Sequence, residues 1–188
     1  LAAIMTMAMA VTAFAAEGAT GTHTLTVNVK TTTPAQDLKG QTINLYKLFD
    51  VTESNSGETT NYAYTVNTAA GYKDAIKSAL GTSFTGTTDE EYAAAVLALK
   101  DTEGAVQKFA NDFTADALTK NLSVTATSNK ITDSKTAYEF TDLDAGYYLV
   151  YVTGGKEIQS SLVTVDATTN TVNLKTEAPS ITKTADKE

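Results

Sequence analysis

The chain has 188 residues, enough for one good-sized core with flanking segments but not for a multi-domain enzyme. Its 22 acidic residues outnumber 14 bases, giving a formal net charge of −8, and every base is a lysine. With neither the bidentate fork of arginine nor a basic field, nucleic acid is excluded as a partner. The lack of cysteine excludes disulfides, thiol catalysis and thiolate metal sites.

Residues 1–16, LAAIMTMAMAVTAFAA, are apolar and uncharged and contain Ala13-Phe14-Ala15, the small-x-small pattern that signal peptidase cuts. The pattern predicts a signal peptide over 1–15, truncated at its start because a basic n-region and an initiator Met are missing, with cleavage between Ala15 and Ala16. The sudden change to Glu17-Gly18-Ala19-Thr20 predicts a flexible mature N-terminus over 16–24. Sixteen apolar residues are marginal for a membrane span and no other run approaches the length. The mature domain is therefore expected to be exported and to lie outside the membrane.

From residue 25 the pattern is that of strands. Threonine makes up about a fifth of the chain and, with valine and tyrosine, favours half-buried pleated strands. Leu25, Val27 and Val29 alternate with Thr26, Asn28 and Lys30; after a turn over Pro34 to Gly40, Ile43, Leu45 and Phe49 alternate with Asn44, Tyr46 and Leu48. Tyr62 to Val66 is a further strand. The middle then changes period. Tyr72 to Leu80 reads as a short helix, Thr88-Asp89-Glu90-Glu91 has capping-box spacing ahead of Tyr92, Val96 and Leu99, and Val106, Phe109, Phe113 and Ala117 form one stripe of another helix. A helical insertion over about 68–120 is predicted, its narrow alanine-rich stripes suited to lying on a sheet. Strands resume at Leu122 to Ala126, Tyr138 to Thr141, Tyr147 to Thr153, Ile158 to Val165 and Thr171 to Leu174. About eight strands suit a two-sheet sandwich. Between two of them, Asp142-Leu143-Asp144-Ala145-Gly146 reads as a tight turn whose glycine supplies a positive-φ position. The domain is expected to run over 25–176, and 177–188, with Pro179 and then Ser180-Ile181-Thr182-Lys183, reads as a connector and the first strand of a following domain.

No catalytic constellation is visible. The only histidine is His23, so a nucleophile has no second candidate base, and neither zinc-ligand spacing, a spaced Asp/Asn calcium loop nor a phosphate-cradling glycine motif occurs. The reading is a non-enzyme with no cofactor and no metal.

Two segments carry a resemblance. Tyr138-Glu139-Phe140-Thr141-Asp142-Leu143-Asp144-Ala145-Gly146-Tyr147-Tyr148-Leu149-Val150 resembles the Y-x-F-x-x-L-x-x-G-x-Y-x-L segment of CnaB-like and pilin N-terminal domains. Leu38-Lys39-Gly40 through Leu45-Tyr46-Lys47 resembles their L-x-G-x-x-x-x-L-Y-K strand. The resemblance implies a mainly β, immunoglobulin-like sandwich of the CnaB or pilin D1 type with a helical insertion. In function it implies a structural subunit of a Gram-positive, LPXTG-type pilus: secreted, on the cell surface, covalently attached to pilus or cell wall. A pilus sortase would join each subunit to other copies through a lysine near the end of this domain. Lys175, after Val172-Asn173-Leu174, is the acceptor the resemblance points to, although the family's Tyr-Pro before that lysine is Asn173-Leu174 here. Lys183 resembles the lysine that forms an intramolecular isopeptide bond in the following domain. Inside the present domain the glutamate expected after the G-x-Y-x-L strand is replaced by Val152, leaving Lys47 or Lys30, the latter with Asn173, as candidates for an internal bond. The alternative is a monomeric wall-anchored adhesin for a host or microbial surface ligand. A secreted hydrolase is the second alternative.

Overall fold

The computed structural model describes residues 21–30, 36–166 and 170–174. Among the described residues the chain is mainly β, with two sheets and three α-helices. One sheet has three strands in the order β5 (Ala137–Leu143), β1 (His23–Asn28) and β8 (Asn170–Asn173). The other has five: β3 (Thr59–Val66), β2 (Thr42–Ser56), β6 (Gly146–Thr153) and β7 (Gln159–Val165) in that order, with β4 (Ala126–Lys130) also paired to β2.

The two sheets face one another across a core in which Leu25, Val27, Phe140 and Val172 of the smaller sheet meet Ile43, Leu45, Tyr148, Val150 and Val152 of the larger. The outer face of the larger sheet is covered in turn by α1 (Tyr72–Leu80), α2 (Asp89–Leu97) and α3 (Ala105–Thr119). That second core joins Tyr46, Leu48, Tyr147 and Leu149 to Tyr72, Tyr92, Phe109 and Phe113. Edge-to-face ring contacts at 5.2–5.9 Å between Tyr46, Tyr72 and Phe113 form its centre. Because β6 is buried on both faces, Gly146 to Val150 are all buried, and its sequence shows a continuous apolar run instead of alternation.

The predicted helices form where their signals lie. Thr88 and Glu91 make a reciprocal capping box at the start of α2, and Phe109, Ala110, Phe113 and Ala117 are the buried stripe of α3. Leu99 falls in a turn of 3-10 helix, Ala98–Asp101, rather than in α2.

Four expectations are corrected. The segment 16–24, read as flexible, is described from residue 21, and His23 and Thr24 already belong to β1. The strand expected over Leu122 to Ala126 begins only at Ala126, because Leu122 and Val124 turn inward to pack against the helical core. Phe49 does not share a face with Ile43 and Leu45. A bulge between Lys47 and Phe49 in the β2–β6 register sends it to the helical side, where Tyr46 and Leu48, expected on the polar parity, are also buried. Finally, the positive φ in the Asp142–Gly146 segment belongs to Asp142, near the end of β5, at 58°, and not to Gly146. Gly146 is required for space: a Cβ there would lie 2.7 Å from Lys47 Cγ and 2.8 Å from the Phe49 carbonyl oxygen.

β2 also runs well past the expected Phe49. It pairs with β6 only as far as Asp50 opposite Gly146; beyond that it continues with β3 alone, as a two-stranded ribbon closed by the two-residue loop Gly57-Glu58. Gly57 has φ 66°, as such tight hairpins demand.

Candidate functional site

Lys47 stands at the bulge of β2, opposite Tyr148 of β6 and at the end of the inter-sheet core. Its side chain is 13% exposed, and its Nζ lies 2.7 Å from Asp50 Oδ1 and 3.4 Å from Asp144 Oδ2. Asp50 is placed by the i,i+3 spacing along β2, Asp144 by the turn that carries the chain from the smaller sheet into the larger. The two carboxylates are half exposed, so the cluster straddles the boundary between core and water. Beneath it the Tyr148 hydroxyl donates to the Asp144 carbonyl oxygen at 2.8 Å. Burial pushes that phenol well above its ordinary range, and the nearby Asp144 and Asp50 charges push it further.

An amine attacks an amide or carboxyl carbon only when neutral. Here the Lys47 Nζ contacts two carboxylates, Asp50 and Asp144. Asn67, buried just after β3, donates its Nδ2 to the Lys47 carbonyl oxygen at 2.8 Å and so engages the backbone and not the amine. Val152, at the position where the resemblance calls for a glutamate, is fully buried among apolar side chains of the inter-sheet core.

Lys30 follows β1 on the polar parity, and its carbonyl oxygen accepts from Gln36 N at 2.9 Å. Asn173 lies opposite Asn28 in the parallel β1–β8 pair, and its Oδ1 accepts from Asn28 Nδ2 at 3.3 Å. The carboxamide proposed as a partner for Lys30 is therefore engaged by the asparagine two residues before it. Leu174 N donates to the Asn28 carbonyl oxygen at 2.8 Å, and Val172 and Leu174 are buried, so the backbone is fixed up to the residue before Lys175. Lys175, Lys183, Ala15 and Ala16 lie outside the described residues.

His23 lies at the start of β1, opposite Leu143. Among the described residues no group of three or more His, Cys, Asp or Glu side chains is placed to hold a metal ion. No helix among them is long and apolar enough to cross a membrane. Sequence reasoning singled out Lys47 but missed Asp50 and Asp144 as its partners. The Lys47-x-x-Asp50 spacing was the legible signal; the arrival of Asp144 from 97 residues downstream was not.

A groove of about 400 Å³ opens beside the end of β8, where Asn173 and Leu174 form part of its wall. Its other walls are the 3-10 turn with the start of α3, and residues 157–161 leading into β7.

No protein-family model matches the chain, and no curated protein matches it in sequence.

Proposed function

We propose that this chain is a structural subunit of a covalently polymerised cell-surface pilus, an immunoglobulin-like, CnaB-type N-terminal domain that sortase joins to its neighbour through Lys175. The observation that carries the reading is the state of the chain at the end of β8. The backbone is anchored through Leu174 by its bond to Asn28, beside an open groove, and Lys175 is the next residue in the sequence. The two segments that resemble pilin domains support it as well. The strand holding Leu45-Tyr46-Lys47 pairs directly with the strand holding Gly146-Tyr147-Tyr148-Leu149, and the turn between Leu143 and Gly146 carries the chain from one sheet to the other.

In this reading the domain has no catalytic role. The sortase supplies an acyl group as a thioester on its own cysteine, and the neutral Lys175 amine attacks it, releasing the thiol and forming an amide. The domain's part in this reading is to present the amine beyond the end of β8. The reading makes other copies and a pilus sortase the partners, and the cell surface the location. The test is tryptic digestion of wall-released material followed by mass spectrometry. A branched peptide joined through the Lys175 side chain is expected; branching through any other lysine, or none, refutes the assignment.

A further inference from the structure

The groove at the end of β8 has a wall richer in acceptors than in donors. Two carboxylates, Glu103 just before α3 and Glu157 just before β7, stand in it against one lysine, Lys100. The Lys100 Nζ lies over the Tyr147 ring, 5.5 Å from its centroid, and that ring is not part of the wall. The carboxamides of the wall differ in what they still need. Gln107 is engaged on both sides, its Oε1 accepting from Ser160 Oγ at 2.8 Å and its Nε2 donating to Asn111 Oδ1 at 3.0 Å. Asn173 Oδ1 accepts from Asn28 Nδ2 at 3.3 Å. Gln159 is different: the side chain is partly exposed, yet its Oε1 is buried without a hydrogen-bond partner. An oxygen left this way costs free energy that a donor in the groove would restore once the carboxamide turns toward it.

The occupant such a wall selects is a cation that carries several N–H donors on an apolar stem. An ammonium has three donors and no acceptor. Ile158, 46% exposed, and Leu174 offer apolar surface for the stem. The sequence puts this group beside the groove. Leu174 is a wall residue whose N donates to the Asn28 carbonyl oxygen, and Lys175 follows it by one peptide unit, about 3.8 Å between Cα atoms.

We propose that the groove is a berth for the Lys175 side chain, its ammonium docking on Glu103, Glu157 and Gln159. The docking is independent of sortase; what it means for joining rests on the reading of Lys175 as the acceptor. Carboxylates favour the charged amine, and only the neutral amine attacks a thioester. The docked lysine is therefore held in reserve, shielded from stray acyl donors until the sortase draws it out.

The test is brief acetylation of the purified chain with acetic anhydride, the extent at each lysine being read by mass spectrometry. Lys77, exposed in the last turn of α1, is the fast reference, and Lys47, 13% exposed, is the slow one that reports an intact fold. Lys175 is expected to react roughly three- to fivefold more slowly than Lys77, the protection a partly screened ion pair gives. In the double variant Glu103→Gln, Glu157→Gln, both changes being at exposed positions, it should reach the Lys77 rate while Lys47 stays slow. A Lys175 that reacts as fast as Lys77 in the parent overturns the proposal, as does protection that persists in the double variant. The acceptor reading fails separately, in the wall digest: branching through another lysine would remove that role from Lys175 and leave a protected Lys175 still docked.

Discussion

Replacing Gly146 with alanine tests the account of the Lys47 cluster. The added Cβ would lie 2.7 and 2.8 Å from Cγ and Cδ of Lys47 and 2.8 Å from the Phe49 carbonyl oxygen. The lysine stem can swing aside, though only by lengthening its 2.7 Å contact with Asp50, but the carbonyl belongs to the backbone of a strand paired on both sides. Overpacking of this kind costs about 1–3 kcal/mol, and a backbone clash that cannot relax by rotamer change places the expected loss in the upper half, about 2–3 kcal/mol. Urea unfolding of parent and variant, read at equal slope, measures it. Gly146→Ala combined with Lys47→Ala removes the two lysine contacts and leaves the carbonyl, so the double variant should recover only part of the clash energy after correction for Lys47→Ala alone. A single variant within about 0.5 kcal/mol of the parent would refute the reasoning.

Four further outcomes follow from the same structure. Lys47→Met should change stability by less than about 1 kcal/mol, since the ammonium's partners are half exposed and the stem's packing is kept; a loss above about 3 kcal/mol in urea unfolding would mean the ion pair holds the sandwich end together. The intact mass of the purified domain should equal that calculated from its sequence; a deficit of one water or one ammonia would show that Lys47 or Lys30 has formed an amide. Phe113→Ala, which empties the centre of the helical core, should cost about 3–5 kcal/mol, against about 1 kcal/mol for Thr88→Ala at the cap of α2, both by urea unfolding; a reversed order would contradict the burial assignment. The Asp37 carboxyl is held below its ordinary 3.8, chiefly by the Ser134 hydroxyl that donates to it. Its stabilisation is therefore present above about pH 4 and lost as the pH falls through the lowered folded value; a carboxyl NMR titration should show a midpoint under 3.8 that rises in Ser134→Ala.

Much of the fold was legible from local chemistry. The capping box at Thr88 and the stripe of Phe109 and Phe113 are determined within one or two turns of chain, and they appear where the spacing puts them. The ribbon beyond Phe49 was not legible, because Thr52 to Ser56 are polar and flank no core; only pairing with β3 makes them a strand. The same holds for the bulge after Lys47. A period-2 reading carries Phe49 to the face of Ile43, and one extra residue, visible only against β6, reverses it. At the site, the lysine could be chosen from its parity, but Asp144 reaches it through a turn between sheets, and the choice between a carboxylate and a carboxamide partner is a tertiary fact. The role of Gly146 was misread for a related reason: a turn glycine suggests a backbone angle, and what this one provides is room for a side chain from another strand.

The central claim is covalent polymerisation, and its most direct test is an immunoblot against this domain on boiled detergent extracts of wall material from the producing cell. The account predicts a ladder of regularly spaced high-mass bands that collapses to one band in Lys175→Ala. A single discrete band from the parent would contradict it and favour a monomeric wall-anchored adhesin.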